Sequence, residues 1–165
     1  AKLPKGWQDR GMEVTPGEKI RVLALHPHDL AWNKLLACRS KDLEFVASMC
    51  EDGLVDFEEL VTFLGEAEQD PEVTNMVRYH FMVVPVILSQ GDPELQEEFL
   101  GLNELSSEEA ETAKNLLQAF NESGETLLAL DVLDALPESH VAQLHPGKWT
   151  EISRSPKRLS KGLKI

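Results

Sequence analysis

Lys34 and Asp42 are the two residues in this sequence with the clearest chemical use. A lysine ammonium neutralises phosphate oxygens as a compact point charge, and a nearby carboxylate can hold Mg²⁺ or accept a proton. Arg39 and Lys41 flank Asp42 in the run Arg39-Ser40-Lys41-Asp42 and add phosphate-binding capacity. On the bare residues, solvated helix charges are the simpler account, with Asp42 complementing a helix dipole.

The elements that must position these residues can be read from punctuation and period. Met12–Val14 and Ile20–Leu25 read as the only two strands, joined by a turn at Pro16 and Gly17. Pro27 suits a first helical position with His26 as a weak cap, and the helix is expected to run to about Arg39. Ser40 is expected to cap the next helix, in which Leu43, Val46, Ala47 and Cys50 form one apolar stripe. Lys34 then lies mid-helix and Asp42 in the following first turn, so a helical hairpin could bring them to one rim.

Further helices are expected after Asp56, after Asp70-Pro71, after Asp92-Pro93, after Ser106 and from Thr126 to Leu136, with a last turn or two from Pro137. In the Asp70 helix the buried face should be Val73, Met76, Val77, His80, Phe81 and Val84, and Pro85 should kink or end it. The expected fold is therefore α+β and mainly α-helical, a small N-terminal β-hairpin followed by about seven helices. The expected division is residues 1–65, a helical region 66–148 that could belong to the same domain, and a basic tail 149–165.

A chain of 165 residues has the length of one domain with a sizeable core. Its net charge of −13 argues against nucleic-acid or anionic-membrane binding by the body of the protein. Arg154, Lys157, Arg158, Lys161 and Lys164 carry the tail's positive charge, so the tail is expected to dock on its own acidic body or on an anionic partner. Cys38 and Cys50 read as reduced structural thiols of a cytoplasmic protein. No signal peptide or membrane-spanning run is present in the sequence given.

Other candidates have simpler explanations. The stretch "SMCEDGLVDFEE" imitates a calcium loop, but Ser48 and Cys50 stand where hard oxygen ligands belong. His26, His28, His140 and His145 lack enough companions for zinc, so no metal site is assigned. His80 reads as a hydrogen-bonded core histidine. Acidic stretches such as "DPELQEEF" and "SSEEAET" read as solvated faces that could also dock a basic partner.

The order "GWQDR", a strand, "HPHDLAWNKLLACRSKDLEFV" and "GLVDFEEL", spanning about residues 7–64, resembles the second half of a bacterial family with the polymerase-β-like nucleotidyltransferase fold. That family is related to the toxins of abortive-infection type IV toxin–antitoxin systems. The resemblance implies that Lys34 contacts the nucleotide, that Asp42 is a late active-site carboxylate, and that Arg39 and Lys41 support phosphate contacts. His28 and Asp29 would set a helix start, and Trp7 and Arg10 resemble a strand-edge pair.

The family's main catalytic element is a Gly-Ser turn followed by a strand with two alternate carboxylates, and it belongs upstream of this match. Ser123-Gly124 with Asp131 and Asp134 does not replace it, because the order is reversed and the spacing is helical. The expectation is thus a truncated or incomplete nucleotidyltransferase-like protein of toxin–antitoxin type, inactive alone. A protein partner would supply the missing half, and with it Mg²⁺ and a nucleoside triphosphate, while this chain alone would hold no cofactor. The alternative is a protein-interaction or antitoxin-like regulatory module with acidic helical surfaces. A complete enzyme with a relocated metal site is the remaining reading.

Overall fold

Local signals account for most of the helix starts in the computed structural model, which describes residues 3–17, 20–66 and 70–144. His145 and the basic tail, residues 149–165, lie outside them, as do residues 67–69 of the Gly65–Asp70 boundary. The order of elements is α1 (Trp7–Arg10), β1 (Met12–Gly17), β2 (Ile20–Ala24), α2 (Pro27–Ala37), α3 (Ser40–Glu51), α4 (Phe57–Glu66), α5 (Pro71–Leu88), α6 (Pro93–Leu100), a 3-10 turn (Leu102–Glu104), α7 (Ser107–Ser123), α8 (Leu127–Asp134) and α9 (Glu138–Val141). The fold is α+β and mainly helical, with a two-stranded N-terminal hairpin. Among the described residues, no helix is long and apolar enough to cross a membrane.

The chain forms two compact units that divide between His80 and Phe81, inside α5. In the first unit, α2 contributes Trp32 and Leu35 to the core, α3 contributes Leu43 and Val46, and α4 contributes Leu60 and Leu64, all fully buried. His80 bonds to the Leu35 carbonyl oxygen at 2.7 Å through Nδ1, the satisfied core histidine that its place on an apolar stripe suggests. In the second unit the core holds Val83, Val84, Phe99, Leu100, Phe120, Val132 and Leu133. There Gln96 and Asn121 form a reciprocal amide pair at 2.9 and 3.0 Å.

The hairpin pairs antiparallel, with Met12 opposite Ala24, Glu13 opposite Leu23 and Val14 opposite Val22, then an irregularity before Gly17 opposite Ile20. Side chains alternate across a strand, so Met12, Val14, Val22 and Ile20 share one face. They are 57%, 49%, 43% and 62% exposed. Two strands bury little by themselves, and this ribbon leaves its apolar face in solvent.

Several expectations are corrected in detail. A four-residue helix, α1, precedes the hairpin where no element was expected; it follows Gly6, whose φ of +77° suits glycine. Trp7 and Arg10 are therefore helical and not at a strand edge. The helix α2 stops at Ala37, because Cys38 takes a left-handed φ of +47° and closes the last turn through its amide to Lys34 O. Ser40 is the first residue of α3 and not its cap: Arg39 is the extended residue before it, and the Ser40 hydroxyl donates to Glu44 at 3.0 Å. Pro85 does not end α5, which continues to Leu88 with Ser89 N donating to Pro85 O. Met76 is 40% exposed and not part of a buried face.

Where a polar side chain can reach the free amides of a first turn, the helix starts as the sequence suggests. Asp56 accepts from the amides of Glu58 and Glu59, Asp92 from Leu95, and Ser106 with Glu109 completes a capping box at α7. Replacing Ser106 with alanine should cost about 1 kcal/mol, seen as a lower urea midpoint at unchanged slope. An unchanged midpoint would mean that the Ser106 bonds to Glu109 do not hold the first turn of α7.

Candidate functional site

The short junction Cys38-Arg39 turns the chain from α2 into α3 and brings Lys34 onto Asp42. Lys34 Nζ donates to Asp42 Oδ1 at 2.9 Å. Arg39 Nε donates to Asp42 Oδ2, and Arg39 Nη2 lies 3.3 Å from Oδ1. One carboxylate thus accepts from two cations, one on α2 and one in the junction before α3. The Asp42 side chain is 1% exposed, whereas Lys34 is 28% and Arg39 61% exposed, so the cations form the solvent side of the cluster.

The hydrogen bond from Arg39, reinforced by Lys34, holds the Asp42 carboxyl at about 2, below its ordinary value, against the opposing effect of burial. The same bond raises Arg39. Burial raises the neighbouring Cys38 thiol, and the Asp42 charge adds to it. Lys34 Nζ also stands 5.3 Å from the ring centre of Phe45, an exposed aromatic three residues after Asp42. Lys41 is exposed and stands outside these bonds.

Around the buried Asp42 carboxylate, Lys34 and Arg39 are two partly solvated cations. Asp42 fixes where the donors of Lys34 and Arg39 point. The same geometry does not suit Mg²⁺, which asks for open carboxylate oxygens in an octahedral set, because both oxygens of Asp42 are engaged by cations. Among the described residues, no group of three or more His, Cys, Asp or Glu side chains converges on a metal position. Asp131 and Asp134 are exposed on α8.

A second ionic feature had no counterpart in the sequence reading. Asp29, in the first turn of α2, is fully buried and accepts from Arg10 Nε at 3.0 Å and Nη2 at 2.5 Å. Arg10 Nη2 also donates to Lys5 O at 3.0 Å, and its guanidinium lies 5.1 Å from the Phe63 ring centre. Asp29 therefore does more than start a helix: it ties α1 to α2, the helix that carries Lys34. Its partner is nineteen residues away in sequence, and only an unexplained Arg10 in the resemblance hinted at the pair.

No curated protein and no solved structure matches the chain. Residues 1–86, which contain the hairpin, the Arg10–Asp29 pair and the Lys34–Asp42–Arg39 cluster, match the model of a family described as a nucleotidyltransferase of unknown function (DUF6036). The chain belongs to that family.

Proposed function

We propose that this chain is the triphosphate-binding part of an incomplete nucleotidyltransferase of toxin–antitoxin type, transferring no nucleotide by itself. The cluster of Lys34, Arg39 and Asp42 within the family match carries the reading. Lys34 and Arg39 take phosphate oxygens, Lys41 adds positive charge at the entrance, and Asp42 is the active-site carboxylate that keeps both donors oriented. Metal-holding carboxylates come from a partner chain, together with Mg²⁺ and the triphosphate, in the cytoplasm.

The exposed face of Met12, Val14, Ile20 and Val22 supports this division of labour, because the edges of a two-stranded ribbon can accept further strands. A second reading, an antitoxin-like interaction module, draws on the exposed acids Glu94 and Glu98 of α6 and Glu108 and Glu111 of α7. A basic protein partner would bind there.

The test joins a transfer assay to a binding assay. With Mg²⁺ and any labelled triphosphate, the purified chain should label neither RNA, protein nor itself, yet calorimetry should detect weak triphosphate binding. Lys34→Ala should weaken that binding about ten-fold, the loss of one charge-assisted bond. Stability should fall only slightly, because Asp42 keeps Arg39. Label transfer by the chain alone would refute inactivity, and equal binding by the variant would remove Lys34 from the site.

A further inference from the structure

Charge is divided sharply within the second half of the chain. Residues 81–144 hold thirteen aspartates and glutamates against one lysine, Lys114, whereas residues 145–165 hold six lysines and arginines against one acid, Glu151. Opposite charges of this size attract, and tethering on one chain keeps them at about millimolar effective concentration. Charge alone does not say where they meet.

A cleft of about 450 Å³ in the second unit supplies the place. It is lined by Pro93, Gln96 and Glu97 of α6 and by Lys114, Leu117 and Glu122 of α7, and its surface is largely apolar. The side-chain amides of Gln96 and Asn121 bond to each other, and Asn121 Oδ1 also accepts from the Gly91 amide at 3.0 Å. With these polar groups engaged inside the fold, the cleft offers an occupant apolar contact at Pro93 and Leu117 and carboxylates at the rim. Glu97 accepts from Lys114 at 3.0 Å, and the exposed Glu122 accepts from Gln118 Nε2 at 2.8 Å. A fitting occupant carries aliphatic side chains and cations together.

The stretch "KRLSKGLKI", residues 157–165, has that composition, with Leu159, Leu163 and Ile165 set among Lys157, Arg158, Lys161 and Lys164. The chain leading to it starts beside the cleft. His140 of α9 bonds through Nε2 to the carbonyl oxygen of Leu100, the last residue of α6, and the described residues end at Leu144. Residues 145–156 can span about 40 Å when extended, against about 12 Å for the whole of α6. We infer that residues 157–165 dock in the cleft between α6 and α7, their aliphatic side chains on Pro93 and Leu117 and their cations on Glu97 and Glu122. Docked there, the tail excludes a basic protein partner from the cleft, an autoinhibitory contact within the second unit.

The test uses the full chain in low-salt buffer, because exposed charges are screened beyond about 8 Å at physiological ionic strength. A zero-length carbodiimide should join Lys157, Lys161 or Lys164 to Glu97 or Glu122 within one chain, read by mass spectrometry of the monomer. Trypsin cleavage after Lys161 should be about five-fold faster in the charge-reversed variant Glu97→Lys with Glu122→Lys, and in Leu159→Ser with Leu163→Ser, since either change releases the tail. Asp131→Lys, an exposed reversal on α8 outside the cleft, should leave that rate nearly unchanged. Absence of these crosslinks, or equal acceleration by Asp131→Lys, would overturn the cleft as the docking site. Crosslinks found only between two chains would overturn docking within the chain in favour of a second copy, and cleavage unchanged by loss of both leucines would overturn the apolar contact.

Discussion

Replacing Arg10 with alanine lowers the unfolding free energy by about 3–5 kcal/mol, the expected loss when a buried ion pair is broken from one side. The carboxylate left behind, Asp29, has no exposed surface, and Arg10 is its bonding partner through two nitrogens. The amide ends of the first turn of α2 compensate in part, which keeps the loss within that range. Arg10→Lys should recover only some of the stability, because an ammonium restores charge but not the two-pronged geometry. The double variant Arg10→Met with Asp29→Leu should lose much less than Arg10→Ala, since it leaves no buried charge. Urea unfolding of the three variants checks this, and a loss under about 1 kcal/mol for Arg10→Ala would show that Asp29 is satisfied without it.

Asp42→Ala should cost about 2 kcal/mol at neutral pH, with a pH dependence that identifies the cause. The loss stays below the sum of two charge-assisted bonds because Arg39 is 61% exposed and screened, and because both cations can turn to water. Folded Asp42 titrates at about 2, against an ordinary value of 3.8. The unfolded chain therefore binds more protons between those values, and stability falls as the pH drops. The contribution should be complete above about pH 5, shrink through pH 4 to 3 and vanish once the pH falls below about 2. Unfolding wild type and Asp42→Asn in parallel from pH 7 to pH 2 should give a difference that closes in this window. A difference independent of pH would assign the effect to packing.

What could be read from the sequence, and what could not, follows the range of each interaction. The cap at Asp92 and the capping box at Ser106 depend on residues within a few positions of one another, so they are visible in the letters, whereas Pro16 and Gly17, expected to form the hairpin turn, belong to β1. Lys34 and Asp42 were legible as a pair because a short turn between two helices leaves few ways for them to avoid each other. The burial of Asp42 was not legible, since it depends on how the helices pack around it. Arg10 and Asp29 stayed hidden for a similar reason: α1 is too short to show a period, and it is fixed by a partner on another helix. His26 and His28 were noted in the sequence, but the contact of their rings was not legible, because an i, i+2 pair does not normally meet on a helix, and here His26 lies just outside it.

The open face of the hairpin also bears on how the chain behaves in bulk solution. Met12, Val14, Ile20 and Val22 give each molecule an adhesive strip, while the net charge of −13 makes molecules repel one another. The colloidal balance therefore rests on long-range repulsion opposing a short-range attraction. Added salt shortens the repulsion, to a screening length of about 8 Å at physiological strength, and leaves the apolar attraction intact or strengthened. Dilute, low-salt buffer keeps such a chain dispersed, and concentrated salt favours self-association.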